Sequence, residues 1–479
     1  MLMANGGREQ LFNVADDPNE LAQHAESLIF PIRPSWLCDL HRDVSWRPEV
    51  KEKSMSDIKI DKQLHFPISQ PGERTQCVGV HYASKDRNVI IETVSIGGSM
   101  NADGTGVVRR SEDNGRTWNT VEELNTQEQI EDDLVAVTSL PIVVYCDPDN
   151  GKVIRVQSTM LEKPSVYAWV YAEHPMWRTI RPRVQISEDE GKTWTNPRPV
   201  VVSREPFDET HWMPGVWQGK NGGMLCAAGH AIAGRDGKII FACESNRLFP
   251  NGNICDPDAD PATSSPDGPV LWEGSCLHAR WNGDGGLDWS AGEKVVLPRA
   301  YSCDGTEEPS LAYLSDGRLF MAIRARTFPN TEQSLPSLHY YAVSHDDGLT
   351  WESPRPLLYD DDSFAYSPAC FITPFRSTKN GRLYIITNFA DRPCVNCDPR
   401  NQLFIVEVDV GTFRLRKDSM TVIDQRDEAD NIRFSNWRYY EDRETGDLAL
   451  FMNPACPETV KLGDDVAPQV YRYDIQLPG

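Results

Sequence analysis

The chain has 479 residues, 39% of them hydrophobic, and a formal net charge of −23 from 71 acidic and 48 basic side chains. This acidic excess opposes non-specific binding to nucleic acid or to an anionic membrane surface, so we expect neither as a partner. No apolar run approaches the roughly 18 residues that a membrane-spanning helix needs. An anionic ligand would therefore have to meet a local cluster of arginines.

The first segment, residues 1–57, differs in pattern from the rest of the chain. Its run DDPNELAQHAESL, residues 16–28, is compatible with a helix opened by Asp and Pro. We predict a small appended segment that packs against the following domain. The opening MLMANGGREQLFNV has no basic region followed by an apolar run, so no signal peptide is predicted. We expect a cytoplasmic location unless the native N-terminus lies elsewhere.

From residue 58 onwards, a turn followed by a short apolar strand recurs six times. The copies are KDRNVII from 85, DNGKVIRV from 149, RDGKIIFA from 235, SDGRLFMA from 315, KNGRLYII from 379 and ETGDLALF from 444. Gly or Asn supplies the positive φ of a tight turn, and the β-branched and aromatic residues after it suit a buried strand. Each copy is therefore predicted to open one antiparallel sheet.

A second recurring element, which we call the acidic box, has the pattern S-x-D-x-G-x-T-W. Its copies are SEDNGRTW from 111, SEDEGKTW from 187 and SHDDGLTW from 344, with a degenerate NGDGGLDW from 282. Ser and Asp side chains bind backbone amides in such a turn, and Trp packs between sheets. A catalytic acid repeated in this way would lie on separate sheets, too far apart to act on one bond. We interpret the boxes as hairpin closures.

These repeats predict an all-β fold over residues 58–479, in which six sheets of about seventy residues each form a six-bladed β-propeller. Radial repetition protects the edges of such sheets. An alternative is a seven-bladed propeller, in which a strand pair near residues 205–232 forms an extra blade.

Most of the twelve cysteines stand singly in apolar runs, where small buried hydrophobes are expected. The exception is CVNC, with Cys394 and Cys397. A closed zinc site needs four ligands, and no second pair with matching spacing is present, so no metal site is predicted. We expect that no cofactor is required, and a structural cation such as calcium is compatible with the sequence.

The boxes and the six-unit array resemble the Asp-box, or BNR-repeat, propellers of the sialidase superfamily, over roughly residues 60–479. The boxes are specific for this fold but not for one activity. The segment NGGREQLFNVADDPNE is similar to the tail that ends many sulfatases. The C/S-x-P-x-R motif of the sulfatase active site is absent, so that resemblance implies no sulfatase activity.

The resemblance implies particular site residues, because sialidases bind the substrate carboxylate with three arginines and use a tyrosine, activated by a glutamate, as the nucleophile. The segment EEPSLAYLSDGRLFMAIRAR is similar to their glutamate-to-second-arginine segment, which implies Glu308 and Arg324. DPRNQLFIVEVD resembles the strand of the third arginine and implies Arg400, and GERTQCVGV supplies Arg74 as the first arginine without the usual Arg-Ile-Pro pattern. Asp103 lies near the expected acid/base aspartate, several residues out of register.

The sequence departs from sialidases at the nucleophile. In RFSNWRYYEDRETGD, Phe434 stands where sialidases have a tyrosine, and phenylalanine cannot act as a nucleophile. Tyr366 in YDDDSFAYSP, one blade earlier, is a candidate replacement. Its acidic neighbours are expected to raise its pKa, and a nearby arginine or glutamate would make it a base or nucleophile. The alternative is that Tyr366 is a buried aromatic spacer.

Arg324 and Arg326 lie two positions apart on a predicted strand and so share one face. They would form a cationic patch for a carboxylate or sulfate, or else be structural arginines bonded to neighbouring acids. The adjacent Glu307 and Glu308 are expected to face opposite ways, one solvated and one directed to the propeller axis.

The run DETHWMPGVW contains His211 and Trp212. Trp offers a stacking surface for a sugar ring and His titrates near neutral pH, although a packed His/Trp pair is an equal alternative.

Three functions are compatible with this sequence. The first is an exo-acting glycoside hydrolase of the sialidase superfamily that removes a terminal acidic sugar. The second is a polysaccharide lyase acting by β-elimination at a uronic acid, with Arg324, His211 and Tyr366 as cation, base and acid. The third is a non-catalytic glycan-binding propeller. In each case the expected partner is a glycan or oligosaccharide, and the sulfatase-like tail favours an acidic or sulfated one.

Overall fold

The computed structural model of the chain describes residues 2–5, 8–11, 58–69, 73–97, 105–131, 134–162, 181–202, 223–225, 231–247, 271–327, 335–455 and 468–479. The chain divides into two compact units, residues 1–50 and 51–479. In the first unit, strands Leu2–Asn5 and Arg8–Leu11 form an antiparallel hairpin. The helix-compatible run at residues 16–28 lies outside the described residues.

The second unit contains the six predicted sheets, one for each turn-and-strand copy. The copies lead into the strands Ile90–Gly97, Val153–Glu162, Ile239–Asn246, Leu319–Arg324, Leu383–Thr387 and Leu448–Met452. In each blade we count as first the strand that directly precedes this turn, so each of these is the second strand, and it pairs antiparallel with the strands before and after it. At Gly317, in the turn of the fourth copy, φ is 84°, as a tight turn with a left-handed residue requires. The six-bladed propeller is confirmed.

The strands of the six blades follow chain order. Blade 1 contains Arg74–Tyr82, Ile90–Gly97, Thr105–Ser111 and Asn119–Asn125. Blade 2 contains Gln127–Glu131, Leu134–Thr138, Val143–Cys146, Val153–Glu162, Arg181–Ser187 and Arg198–Pro199. Blade 3 contains Gly223–Leu225, Ile232–Ala233, Ile239–Asn246, Trp272–Trp281 and Leu287–Ala291. Blade 4 contains Glu307–Tyr313, Leu319–Arg324, Tyr340–Ser344 and Arg355–Pro356.

Blade 5 contains Ile372–Arg376, Leu383–Thr387, Gln402–Asp409, Arg414–Leu415 and Thr421–Gln425. Blade 6 contains Arg438–Glu441, Leu448–Met452, Val470–Gln476 and Lys59–Phe66. A short ribbon pairs Arg433–Phe434 with Pro454–Ala455. In the described part of the chain, three short 3-10 helices span Arg235–Gly237, Lys417–Ser419 and Glu428–Asp430. Among the described residues, no helix has the length and apolar character needed to cross a bilayer.

The extra blade of the seven-bladed alternative is not seen in the described part of residues 205–232. Strands Gly223–Leu225 and Ile232–Ala233 both pair with Ile239–Asn246, so they belong to blade 3.

The ring is closed by the strand Lys59–Phe66, which pairs antiparallel with Val470–Gln476. The pairing runs from Lys59 opposite Gln476 to Phe66 opposite Val470, and it makes the earliest strand of the propeller the fourth strand of blade 6. An unpaired strand edge would invite association with other chains, so this pairing protects the last sheet and fixes the blades in a circle.

The acidic boxes close hairpins between the third and fourth strands, as predicted. In the box at 344, Ser344 Oγ accepts a hydrogen bond from the backbone N–H of Gly348 at 2.8 Å, and Asp346 Oδ1 accepts one from that of Thr350 at 2.8 Å. The boxes at 111 and 187 repeat both contacts at the same distances. In the first box, hydrogen bonds from Thr117 lower the pKa of Asp113 to about 2. The boxes are structural elements.

The fourth residue of each intact box also joins neighbouring blades. Asn114, Glu190 and Asp347 have φ of 61°, 61° and 60°, a left-handed conformation that turns each side chain out of its own hairpin. Each contacts the turn before the second strand of the preceding blade. The pairs are Asn114 with Asp442 at 2.9 Å, Glu190 with Arg87 at 3.0 Å and Asp347 with Arg235 at 2.7 Å. The two recurring sequence elements therefore contact each other around the ring.

The second strands are packed on both faces. Leu319–Arg324, Leu383–Thr387 and Leu448–Met452 are buried at every position, because each sheet has a neighbouring sheet on either side. Full burial of one aliphatic or aromatic side chain contributes about 1.5–3 kcal/mol. This two-sided burial explains why the recurring strands are continuous apolar runs and do not alternate between apolar and polar residues.

Asp347 provides a test of the inter-blade contacts. Its carboxylate is 3% exposed and accepts hydrogen bonds from Tyr313 Oη at 2.9 Å and Arg235 Nε at 2.7 Å. We expect Asp347→Ala to lower the free energy of unfolding by about 1–3 kcal/mol, measured by urea denaturation, because it removes the buried carboxylate that accepts hydrogen bonds from the half-buried Tyr313 and from Arg235. The matched control is Asp284→Ala in the degenerate box, where the side chain is exposed; its expected change is within about 0.5 kcal/mol. Equal losses in the two variants would contradict the inter-blade role.

Candidate active site

The implied site residues of blades 1, 4 and 5 lie at one end of the propeller. Arg74 begins the first strand of blade 1, and Arg324 ends the second strand of blade 4. Arg400 lies two residues before the third strand of blade 5, which starts at Gln402. In an antiparallel sheet, the start of the first strand, the end of the second and the start of the third lie at the same end of the sheet. The fold thus places these residues, which are distant in sequence, at the same end of the propeller.

Glu307 and Glu308 do not follow the expected alternation. Glu308 has φ of +41°, and the pairing register shifts between Glu307 and Ser310, which marks a β-bulge. A left-handed, non-glycine residue before a proline is strained, and such strain and bulges concentrate at functional sites. Both carboxylates consequently reach Arg324: Glu307 Oε2 lies 3.3 Å from Nε and Glu308 Oε2 lies 2.6 Å from Nη1. The prediction that the two face opposite ways is wrong.

Arg324 and Arg326 share neighbouring acids, which is the second of the two alternatives that the sequence allows. Arg326 Nε lies 3.0 Å from Asp304 Oδ2, and its Nη2 lies 3.3 Å from Glu307 Oε1. Three carboxylates thus surround two guanidinium groups. The pair forms an ion-pair network, and its positive charge is already balanced by protein acids.

Glu244 is a member of this site that sequence reasoning missed. It lies on the second strand of blade 3, is 4% exposed, and its Oε2 accepts a hydrogen bond from the backbone N–H of Glu308 at 2.5 Å. Burial, followed by the negative charge of Glu308, raises the pKa of Glu244 well above its usual value, which favours the protonated form. The available signal was a single acid near the end of the otherwise apolar run IIFACES.

Arg400 differs from the other two arginines because its partners are neutral. Nη1 donates to Ser435 Oγ at 2.8 Å, and Nη2 donates to the carbonyl of Ala369. The residue is 7% exposed, and no carboxylate among the described residues pairs with it. A buried charge without a counter-ion is costly, so this guanidinium is suited to receive an anion.

His339 links the two arginine environments. Burial, and then the positive charges of Arg324 and Arg400, lower its pKa to about 3, so the imidazole is neutral at pH 7. Its Nε2 lies 2.8 Å from Thr387 Oγ1. The positive charges of Arg324 and Arg400 therefore both act on this buried ring.

The position implied for a tyrosine nucleophile lies beside Arg400. The backbone N–H of Phe434 donates to the carbonyl of Arg400 at 2.8 Å, and the Phe434 ring is fully buried. Ser435, the next residue, binds the guanidinium as described above. The position that the resemblance implies for the nucleophile therefore contains a buried apolar ring.

Tyr366 is half-buried in the segment before blade 5. Its backbone forms a bridge with Leu338, and its ring centroid lies 5.8 Å from that of Phe364. Burial raises the pKa of Tyr366, and no acid or arginine of the described structure contributes to that shift. The expected influence of neighbouring acids is absent there, and the phenol stays protonated at neutral pH.

The CVNC turn forms part of the same end of the propeller. Cys397 Sγ lies 3.9 Å from Arg324 Nη2, and the backbone N–H of Cys394 donates to Ser337 Oγ at 2.6 Å. Both cysteines are free thiols. Within the described residues, no group of three or more His, Cys, Asp or Glu side chains is arranged to hold a metal ion.

The remaining predicted site residues are not all available for comparison. Arg74 is half-buried at the start of blade 1. Asp103, His211 and Trp212 lie outside the described residues.

Comparison with known structures shows the same fold at low sequence identity. A protein of unknown function from Dyadobacter fermentans matches with a TM-score of 0.55 and 13% identity, covering 88% of this chain and 99% of the other. The Hadza microbial sialidase Hz136 matches with a TM-score of 0.53 and 14% identity, covering 85% of this chain and 66% of the other. The NanB sialidase of Streptococcus pneumoniae matches with a TM-score of 0.52 and 13% identity, covering 87% of this chain and 70% of the other.

No curated protein matches the sequence. The model of the BNR repeat-like domain family matches residues 108–421, more than half of the chain and the larger part of the propeller. The match spans three acidic boxes, the degenerate box and the Glu308 and Arg324 segment. The chain belongs to the BNR repeat-like family and has a propeller fold that it shares with sialidases.

Proposed function

We propose that this protein is an exo-acting glycoside hydrolase that removes a terminal sugar bearing a carboxylate. The observation that carries the proposal is the pair of glutamic acids from neighbouring blades, Glu244 and Glu308, held together by the hydrogen bond from the Glu308 backbone. One member is in an environment that favours protonation and the other is ion-paired with Arg324.

Two carboxyl groups with different protonation are what glycosidic hydrolysis requires. A protonated acid gives its proton to the leaving oxygen, and a carboxylate either attacks the anomeric carbon or activates water. Glu244 is the proposed acid, because burial and Glu308 favour its proton. Glu308 is the proposed carboxylate, since its side chain is 19% exposed and only Oε2 is held by Arg324. Arg324 is a positioning residue in this scheme.

The carboxylate pair also accounts for the departure at Phe434. A tyrosine nucleophile is unnecessary if Glu308 supplies the carboxylate chemistry. Tyr366, which burial keeps as a neutral phenol, is not required as its replacement.

Arg400 supports an acidic substrate. Its guanidinium is held by Ser435 and a carbonyl, and an incoming carboxylate would supply the missing counter-charge. Arg324 and Arg326 are less suited to this role because Asp304, Glu307 and Glu308 already balance them.

The first test is a screen of sialosides and glucuronides by mass spectrometry for release of the terminal sugar. We expect release by the unaltered protein and a loss of about 10²–10⁴-fold in Glu308→Gln, because a carboxamide cannot act as carboxylate. The control is Glu188→Gln, which removes an exposed carboxylate paired with Lys152 and should retain activity. A product that absorbs in the near ultraviolet, with no saturated sugar released, would identify a β-eliminating lyase instead.

A second test separates the roles of the two glutamic acids. A dinitrophenyl leaving group needs no protonation, so Glu244→Gln should lose far less activity on a dinitrophenyl glycoside than on the natural glycan. Glu308→Gln should lose activity on both substrates. Equal losses in Glu244→Gln on both would show that Glu244 is not the acid.

A third test uses pH. Burial and the charge of Glu308 raise the pKa of Glu244, so its proton persists to a higher pH than on an ordinary glutamic acid. We expect the alkaline limb of the kcat/KM profile to lie above the usual glutamic acid range and to be absent in Glu244→Gln. The protonated Glu244 also stabilises the fold. Its contribution to the free energy of unfolding is full at low pH and declines as pH rises through the raised pKa. A limb that persists in Glu244→Gln contradicts the assignment.

A fourth test distinguishes Arg400 from Arg324. Losing a hydrogen bond to a charged group costs about 1.5–3 kcal/mol, so Arg400→Met should lower kcat/KM about 10- to 100-fold for an acidic sugar but little for its carboxamide analogue. Arg324→Lys should lower kcat for both substrates, because it disturbs Glu308. The control is Arg392→Met, which removes an exposed ion pair with Glu428. Loss of charge discrimination in Arg324→Lys alone would reverse the two roles.

A further inference from the structure

A cavity of about 410 Å³ opens at the end of the propeller opposite to Glu308. The first strands of five blades end at its wall, at Tyr82, Cys146, Tyr313, Arg376 and Glu441. The strand Glu307–Tyr313 shows the separation: Glu307 begins at the candidate active site, and Tyr313 lines the cavity six residues later. At about 3.3 Å per residue this corresponds to about 20 Å. The cavity is therefore distinct from the candidate active site.

Aromatic residues form part of the wall of the cavity. Tyr145, Tyr313, Phe375 and Tyr439 contribute rings from four different blades. The rings of Phe375 and Tyr439 lie 5.6 Å apart, so part of the wall is a continuous aromatic surface. Aromatic faces offer large apolar contact area, which suits the C–H face of a sugar ring, and tyrosines add polar hydroxyls. The volume is also within the range of about 300–1,000 Å³ found for small-molecule sites.

Among the described residues that line the cavity, the charged groups are one cation and one anion. Arg376 is exposed, and its side chain has no hydrogen bond or ion pair with the described residues. Glu441 lies on the neighbouring blade, where its Oε1 accepts hydrogen bonds from the backbone N–H of Thr378 at 2.7 Å and from Ser377 Oγ at 3.3 Å. An anionic ligand would meet Glu441 and a cationic ligand would meet Arg376. A neutral polyol can accept from the guanidinium and donate to the carboxylate.

We propose that this cavity is a second carbohydrate-binding site, which takes a neutral mono- or disaccharide through the aromatic wall, Arg376 and Glu441. The site is independent of the hydrolase proposal, since none of its residues belongs to the Glu244 and Glu308 cluster. Its occupant would be a neutral sugar unit of a glycan, held at the far end of the ring from the carboxylate pair.

The test is isothermal titration calorimetry with four probes: glucose, galactose, lactose and glucuronate. We expect saturable binding of at least one neutral sugar, weakened at least about tenfold in Arg376→Met and in Tyr439→Ala through lost polar and stacking contacts. Arg376 is exposed, so Arg376→Met tests the site with little risk to folding, and thermal melting checks both variants. Glu308→Gln, at the opposite end, should bind the neutral sugar as the unaltered protein does.

Three outcomes would overturn the proposal. The first is no saturable binding of any neutral probe. The second is binding that Glu308→Gln removes and Arg376→Met leaves intact, which would place the sugar at the candidate active site. The third is glucuronate binding as tightly as the neutral probes and with the same dependence on Arg376, which would show that the site does not select neutral sugars over anions. Failure of the hydrolase screen would leave the expected binding results unchanged.

Discussion

Closure of the ring by the strand Lys59–Phe66 on Val470–Gln476 is the constraint on which the site depends. Once the blades are fixed in a circle, the starts of the first strands and the ends of the second strands gather at one end of the axis. Glu244 from blade 3 and Glu308 from blade 4 meet there, although 64 residues separate them in the chain. The contacts between each acidic box and the preceding blade hold neighbouring blades in the register that this meeting needs.

Charge balance divides the arginines of that end into two kinds. Arg324 and Arg326 are neutralised by protein carboxylates, so their effect is to position Glu307 and Glu308. Arg400 has only neutral partners and retains an unbalanced charge. In a protein with a net charge of −23, this buried guanidinium, which has no carboxylate partner among the described residues, is the proposed source of local selectivity for an anion that the overall field would repel. Burial, followed by the negative charge of Glu308, favours the proton on Glu244.

The blades could be predicted from local sequence patterns, whereas the candidate active site depends on contacts between residues of different blades. The six turn-and-strand copies and the acidic boxes specify hairpins within short segments, so the blades and the role of the boxes were predictable. The pairing of Glu244 with Glu308 involves different blades and leaves no local pattern. The alternation rule failed at Glu307 and Glu308 because a bulge and a left-handed residue interrupt the strand. The resemblance placed Phe434 and Arg400 at one end, and the structure shows them in direct contact.

In the proposed mechanism the two glutamic acids differ in protonation at neutral pH, with the proton on Glu244. Difference infrared spectroscopy of the unaltered protein against Glu244→Gln tests it without any substrate. We expect a protonated carboxyl band at pH 7 that shifts in deuterium oxide and disappears in Glu244→Gln. A spectrum without that band, or a band that persists in Glu244→Gln and disappears in Glu308→Gln, would contradict it.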